Sequence, residues 1–356
     1  MKPFVRVSLC QLFIMLYISR MVVNATYSSF GSNTNHLYYG FVAALLALPA
    51  TALMVLPVYG AFVTSNGRTI TDNGYDVFKK YGAVIAVVYG LYFLWVLINT
   101  LSRFNIMVTK VLNPSASVLV LSVAVVAASM YGAYKGIEAL GRASTIIFVF
   151  IAIALIILLC ALLPKADALN FIPVSADNTG DIIDIILNML AKNSCIPAMA
   201  ILLPFAKGDC KKGIGIWVAG VYISTAIITA IIIAVMGDYL KTQVFPVYAV
   251  TAIASLGIAE RLDGLFLGVW TAGMFVKVSL FIYLLSACVK RVFGEVISRW
   301  SILICGVVVF VSSMAISMTD GMFDLLYNNN IMLIFTMLTA VVIPIILIVA
   351  NKITNR

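Results

Sequence analysis

Ten stretches of this chain are so long and so apolar that water is the wrong solvent for it. They run over roughly 8–27, 37–60, 82–102, 115–132, 143–163, 182–206, 214–237, 263–288, 300–319 and 329–350. A hydrocarbon core about 30 Å thick is crossed by about 20 apolar residues of helix. A membrane β-barrel would instead show segments of about ten residues that alternate in polarity. Residues 151–159 read Ile-Ala-Ile-Ala-Leu-Ile-Ile-Leu-Leu, with no alternation. The sequence therefore predicts an all-α integral membrane protein with ten transmembrane helices in one domain over 1–356. Composition agrees, with 63% apolar and 10% charged residues. Soluble domains average about 45–50% and about 25%. A soluble enzyme, a nucleic-acid-binding domain and a disordered chain are excluded on that ground.

Loop charge tests the count. An even number of spans puts both termini on one side, and assigning that side to the cytoplasm gives it 15 of the 23 Lys and Arg. The other side holds 5, and Arg20, Lys192 and Lys277 stay within spans. Nine of the 14 carboxylates fall on the outside. The bias follows the positive-inside rule and predicts cytoplasmic termini. The net charge of +9 is then mostly a record of orientation and does not point to nucleic acid. Basic clusters such as Lys207, Lys211 and Lys212 suit anionic membrane lipid. Lys2 and Arg6 before the first apolar run resemble a signal peptide, but no small-residue cleavage site follows, so a retained first span is expected.

Ten spans divide into two fives at the acidic loop 165–181. Repeat one covers about 8–163 and repeat two about 182–350. The second helix of each half is followed by a long connector, 60–82 and 238–262, either of which could carry a short interfacial helix. These connectors fall on opposite sides of the membrane, the pattern of two inverted five-helix repeats. Such folds bind substrate near the midplane, where the first helix of each repeat is discontinuous. Span 6 has an evident break at Lys192-Asn193-Ser194-Cys195-Ile196-Pro197, because proline removes a backbone donor and crowds the preceding turn. In span 1 the candidate break is Ser19-Arg20-Met21, without glycine or proline. Discontinuous helices 1 and 6 are expected.

Charges within spans are the next signal. Lys277 lies about 20 Å of helix from either end of span 8, too deep for its stem to reach the interface. Intramembrane charge is costly and marks function by default. No Asp or Glu lies deep in any span, so Lys277 bonds carbonyls or hydroxyls, loses its proton, or meets an anionic ligand. Its alternative role is structural, bridging helices where related transporters hold a sodium ion. Asp184, Asn188, Lys192 and Cys195 form a polar stripe at helical spacing, which is either an access path or a face packed on other helices. Arg20 either snorkels or clamps a carboxylate. Tyr89, Tyr92, Trp95 and Asn99 line one side of span 3, as helix packing or as a pocket wall. Thr271 and Met274 precede Lys277 by one to two turns and are expected to share its face.

No soluble-type catalytic set is present. His36 is the single histidine, there is no phosphate loop and no nucleophile elbow. No enzyme activity, metal or cofactor is expected. The six cysteines form no CxxC pair and read as small buried hydrophobes.

Several segments together resemble a known family. Ser8-Leu-Cys-Gln11-Leu12-Phe13 is similar to the opening of the endospore germination permeases. These supply the B subunit of nutrient germinant receptors and belong to the amino acid–polyamine–organocation superfamily. Tyr134-Lys-Gly136-Ile137-Glu138-Ala-Leu-Gly141-Arg142-Ala143 resembles the family's loop between helices 4 and 5. Phe245-Pro246, the run from Ile258 through Glu260, Arg261, Asp263 and Phe266, and Trp270-Thr-Ala-Gly273-Met274-Phe275-Val-Lys277-Val-Ser279-Leu280 resemble its eighth-helix motif, lysine included. Many members carry a glycine in helix 1 and a Gly-aromatic-Glu element in helix 6. This chain has Ser19-Arg20-Met21 and Asn193-Ser194-Cys195 there. The resemblance implies a nutrient pocket between helices 1, 3, 6 and 8, which binds an amino acid or similar small nutrient and triggers germination. It also implies a complex with an A-type membrane subunit and a C-type lipoprotein in the spore inner membrane. The alternative is a working secondary amino acid transporter, coupled to protons because no deep carboxylate offers a sodium ligand. Ser19, Arg20, Tyr89, Tyr92, Asn193, Ser194, Cys195, Thr271 and Met274 are the candidate ligand contacts. Lys277 is the cation-substituting or coupling group, and Asp184, Asn188 and Lys192 form the access path.

Overall fold

A computed structural model describes residues 7–26, 36–109, 117–172, 179–255, 262–294, 300–319 and 328–354. Among the described residues, ten helical segments are long and apolar enough to cross a membrane. The first is α1 (Leu9–Thr26), and the second is α2 (Tyr38–Thr64). The short α3 (Ile70–Phe78) leads into α4 (Ala83–Met107). The fourth and fifth spans are α5 (Val118–Lys135) and α6 (Ile137–Leu162). The sixth is split into α7 (Thr179–Ala191) and α8 (Cys195–Leu202). Next come α9 (Cys210–Met236), the short α10 (Pro246–Ile253) and the 31-residue α11 (Asp263–Phe293). The ninth span is α12 (Ser301–Met318). The tenth joins α13 (Asn329–Met337) to α14 (Ile343–Thr354) through a π-helical turn at Leu338–Val342. The integral membrane fold read from the apolar runs is the fold observed.

The bundle is ordered by burial. The sixth and eighth spans are 83% and 72% buried, against 28–56% for the others, so these two form the centre. The outer helices present leucine, isoleucine and valine outward, as Leu53, Val149, Ile156 and Ile334 do. That surface suits hydrocarbon, where backbone polar groups must be bonded within each helix. The face of the bundle where α1 begins is called the near face, and the one where α1 ends the far face.

The two connectors hold the helices expected of them. Thr69 caps α3 by accepting from the Asp72 amide, and Pro246 opens α10 at a position where its missing N–H costs nothing. They meet opposite ends of α11. Asp72 in α3 pairs with Arg291 at 3.1 Å and the Tyr75 hydroxyl bonds the Arg291 carbonyl. In α10, Tyr248 donates to Asp263 at 3.2 Å.

Four expectations are corrected. Span 1 is not broken: α1 is continuous through Ser19-Arg20-Met21. It lacks glycine and proline there, and the Ser19 hydroxyl bonds back to the Met15 carbonyl one turn earlier at 2.7 Å. Span 5 starts at Ile137, six residues before the apolar run suggested. Gly136 takes φ 86°, a left-handed conformation that glycine reaches without a Cβ penalty. It both ends α5 and starts α6, so the supposed loop shrinks to one residue and Ile137–Arg142 is helix. Arg103, counted among the loop cations, lies within α4. Cys10 and Cys160 are exposed, whereas the other four cysteines are buried. Of the charges in the loop tally, Lys2, Arg6, Lys110, Asp177, Glu260, Arg261, Glu295, Arg299, Asp320, Asp324 and Arg356 lie outside the described residues, as does the 258–261 part of the eighth-helix motif.

Motifs that looked separate in sequence meet on α1. Val7–Ser8 pairs in parallel with Ala206–Lys207, tying the start of the first span to the end of the sixth. A Cβ on Gly141 would lie 3.3 Å from that of Gln11. Gly273 of α11 sits where a Cβ would be 2.5 Å from a Val22 methyl. The Trp270 indole donates to the Thr26 hydroxyl at 2.9 Å.

Candidate functional site

The site is built on the break in the sixth span. α7 stops at Ala191 and α8 resumes at Cys195, with Lys192-Asn193-Ser194 in an irregular turn between them. Pro197 falls in the first turn of α8, where its missing donor is tolerated. A helix that ends inside a membrane protein exposes carbonyls that need donors. Arg20 supplies them: its guanidinium donates to Met189 O at 2.9 Å and to Lys192 O at 3.1 Å. The positive charge also faces the negative end of the α7 dipole. Thr336 of α13 donates to Ala191 O at 2.8 Å. The Cys195 thiol reaches Leu16 O of α1 at 3.3 Å.

A second set of bonds holds the irregular residues. Asn193 donates to the Tyr222 hydroxyl of α9 at 3.3 Å, and Thr51 of α2 donates to the same oxygen at 2.6 Å. The break is thereby tied to α1, α2, α9 and α13. Two polar atoms stay buried without a partner, Asn193 Oδ1 and Ser194 Oγ. Buried polar groups are normally bonded, so each such atom requires an explanation.

Lys277 is buried, 3% exposed, with its ammonium 5.6 Å from the centre of the Phe281 ring. Phe281 packs edge-on against Phe93 of α4, and Phe93 contacts both Tyr89 and Tyr92. The aromatic stripe of span 3 therefore joins the lysine to the break. Tyr92 exchanges a hydrogen bond with Thr336 at 3.1 Å, and Tyr89 donates to the Thr339 carbonyl inside the π-helical turn, where helical pairing is loosened. Met274 is buried in α11, whereas Thr271 is only half-buried. Six residues of helix place Thr271 about 120° round the axis from Lys277, so it does not share that side chain's face.

The charge balance is one-sided. Arg20, Lys192 and Lys277 are the buried charged residues, and no carboxylate is buried among the described residues. Buried like charges persist where something of opposite sign can reach them.

A polar cavity of about 420 Å³ opens beside this cluster, between α7 and α13 toward the far face. Asp184, Leu187, Asn188, Asn328, Asn329, Asn330 and Leu333 line it. Asn188 lies one turn above Lys192, whose amide bonds the Asn188 carbonyl at 3.2 Å. Asn188 Oδ1 is buried and unbonded. Below it the break is sealed, with Arg20, Lys192, Asn193, Ser194 and Cys195 all buried. Two members of the polar stripe, Asp184 and Asn188, thus face a cavity, while Lys192 and Cys195 lie under its floor.

Sequence reading missed several parts of this site. Tyr222, Thr336 and Thr339 each sit as polar residues inside an apolar span, the same signal that marked Lys277. The run Asn328-Asn329-Asn330 stands before the tenth span, on the far side with Asp184. The family model described as spore germination protein matches residues 6–321. No curated protein matches the chain.

Proposed function

Because this chain belongs to the family of spore germination proteins, we propose that it is a receptor subunit that binds a small nutrient at the α7–α8 break and passes the event to its partners in germination. The observation that carries this reading is a sealed break with three buried cations, no buried carboxylate among the described residues, and two unbonded polar atoms. A free amino acid has the complementary groups. Its carboxylate meets Lys277, Lys192 and Arg20, and its ammonium meets Asn193 Oδ1 and Ser194 Oγ. Tyr89, Tyr92 and Met274 form the wall that faces the side chain. Ser19 and Cys195 set the packing of α1 on α8, and Thr271 contributes at the margin.

The far-face cavity is the access path, with Asp184 and Asn188 at its mouth and Lys192 at its floor. Entry into the break requires α7 to move against α13. That motion strains the bonds from Arg20 and Thr336, which reach α1 and α13, and from Asn193, which reaches α2 and α9 through Tyr222. A change at the centre thus reaches four helices. This is the coupling a sensor needs, with an A-type subunit and a C-type lipoprotein as the receivers. In this reading the two halves form inverted five-helix repeats, the termini are cytoplasmic and the membrane is the spore inner membrane.

Calorimetry on the purified protein in lipid nanodiscs, across a panel of amino acids, tests the proposal. At least one amino acid is expected to bind, with at least a tenfold loss in Asn193→Ala. No binding across the panel, or equal binding by the variant, would contradict it. Uptake of the bound amino acid into liposomes by the protein alone would assign it instead to transport.

A further inference from the structure

A second cavity, unconnected with this charge cluster, lies toward the far face between α1, α6, α9, α10 and α11, and has a volume of about 130 Å³. Its walls include Met21, Ala154, Leu158, Ile228, Val250 and Trp270. Five of the six polar side chains that touch it are bonded within the protein. Tyr17 donates to Ser224 at 2.8 Å, Asn24 to Thr225 at 2.6 Å and Trp270 to Thr26 at 2.9 Å. Thr225 and Thr251 bond their own helices. A polar ligand would find few partners here, whereas an apolar cavity of this size takes hydrocarbon.

The cavity faces the membrane. α6 and α9 both pack on α1 but barely touch each other, and α10 covers the far end. Leu155 and Leu159 of α6 and Ile228 and Ile231 of α9 line it and are only partly buried, so the gap opens outward between the two helices. At the rim, one turn beyond the cavity-lining Leu162, Lys165 bonds the Ile253 carbonyl and the Ser255 hydroxyl, both at 2.7 Å. Those acceptors are neutral, and the side chain is exposed, so its charge is available at the level of lipid headgroups.

We propose that this groove holds one acyl chain of a membrane phospholipid whose anionic headgroup sits on Lys165. The occupant wedges α6 and α9 apart and steadies the outer half of α1. The groove is independent of the nutrient site and stands or falls without it.

Tryptophan quenching by brominated acyl chains tests this. The probe is the full-length protein in nanodiscs of phosphatidylglycerol or phosphatidylcholine carrying the same dibrominated chains. One variant keeps Trp270 alone, and a second keeps Trp217 alone, which is equally buried but distant from the groove. Bromine is expected to quench Trp270 at least twofold more than Trp217. Filling the groove by Ala154→Phe or, on the opposite wall, Ala25→Leu should remove the excess. Phosphatidylglycerol should quench more than phosphatidylcholine, and Lys165→Gln should erase that difference. Equal quenching of the two tryptophans, excess quenching that survives both fillings, or no headgroup preference with Lys165 present would each overturn the proposal.

Discussion

Three buried cations distinguish this chain from a bundle that only fills a membrane, and their roles separate once their neighbours are seen. Arg20 holds the break in place, since its fork donates to the Met189 and Lys192 carbonyls at the end of α7. Arg20→Leu should cost about 2–4 kcal/mol, as charged hydrogen bonds and a helix-end charge are lost together. Thermal unfolding in detergent would show it. Arg20→Lys should recover less than half, because an ammonium lacks the planar fork. Lys277 has the opposite profile. Its ammonium lies over the Phe281 ring, so Lys277→Met should leave stability unchanged or higher while nutrient binding falls at least tenfold. Full binding by a folded Lys277→Met protein would remove the lysine from the site. All three cations were legible in the sequence, because a charge stands out in an apolar run. Their partners were not: Met189 and Lys192 contribute carbonyls, which every residue carries and no side-chain pattern marks.

At the scale of elements, legibility followed local chemistry. The break in span 6 showed itself through Pro197 and three adjacent polar residues, and the structure interrupts the helix there. The expected break in span 1 rested on the repeat pattern and on Ser19 and Arg20, and the helix absorbs them: Ser19 bonds the preceding turn and Arg20 reaches sideways. Polarity within a helix is thus a weak signal for discontinuity unless a backbone-breaking residue accompanies it. The one-residue turn at Gly136 was hidden because the hydrophobic run starts later than the helix. Close approach between elements is testable at Gly273, where an added Cβ would press on Val22. Gly273→Val should push α11 from α1 and lower stability by about 1–3 kcal/mol, the usual cost of overpacking a tight contact. Val22→Ala in the same chain should restore part of it. Additive losses in the double variant would mean that the two helices do not meet there.

At the scale of the whole molecule, the span count and the membrane class were legible because hydrocarbon thickness fixes helix length. Which spans lie at the centre was not, since every span is apolar and burial depends on packing. The sixth and eighth are the most enclosed, and both carry a buried lysine. Orientation rests on loop charge and can be checked directly. A cysteine replacing Asn66, between α2 and α3, should resist an impermeant thiol reagent in intact cells, and one replacing Lys241 should react. The reverse pattern would invert the assignment. The central claim is that the break recognises an anion. The most direct measurement compares binding of the best-bound amino acid with binding of its amide, which keeps the side chain and the ammonium but loses the carboxylate charge. The account predicts at least a tenfold weaker amide in the wild-type protein, with the gap closing in Lys277→Met. Equal affinity for acid and amide in the wild-type protein would contradict it.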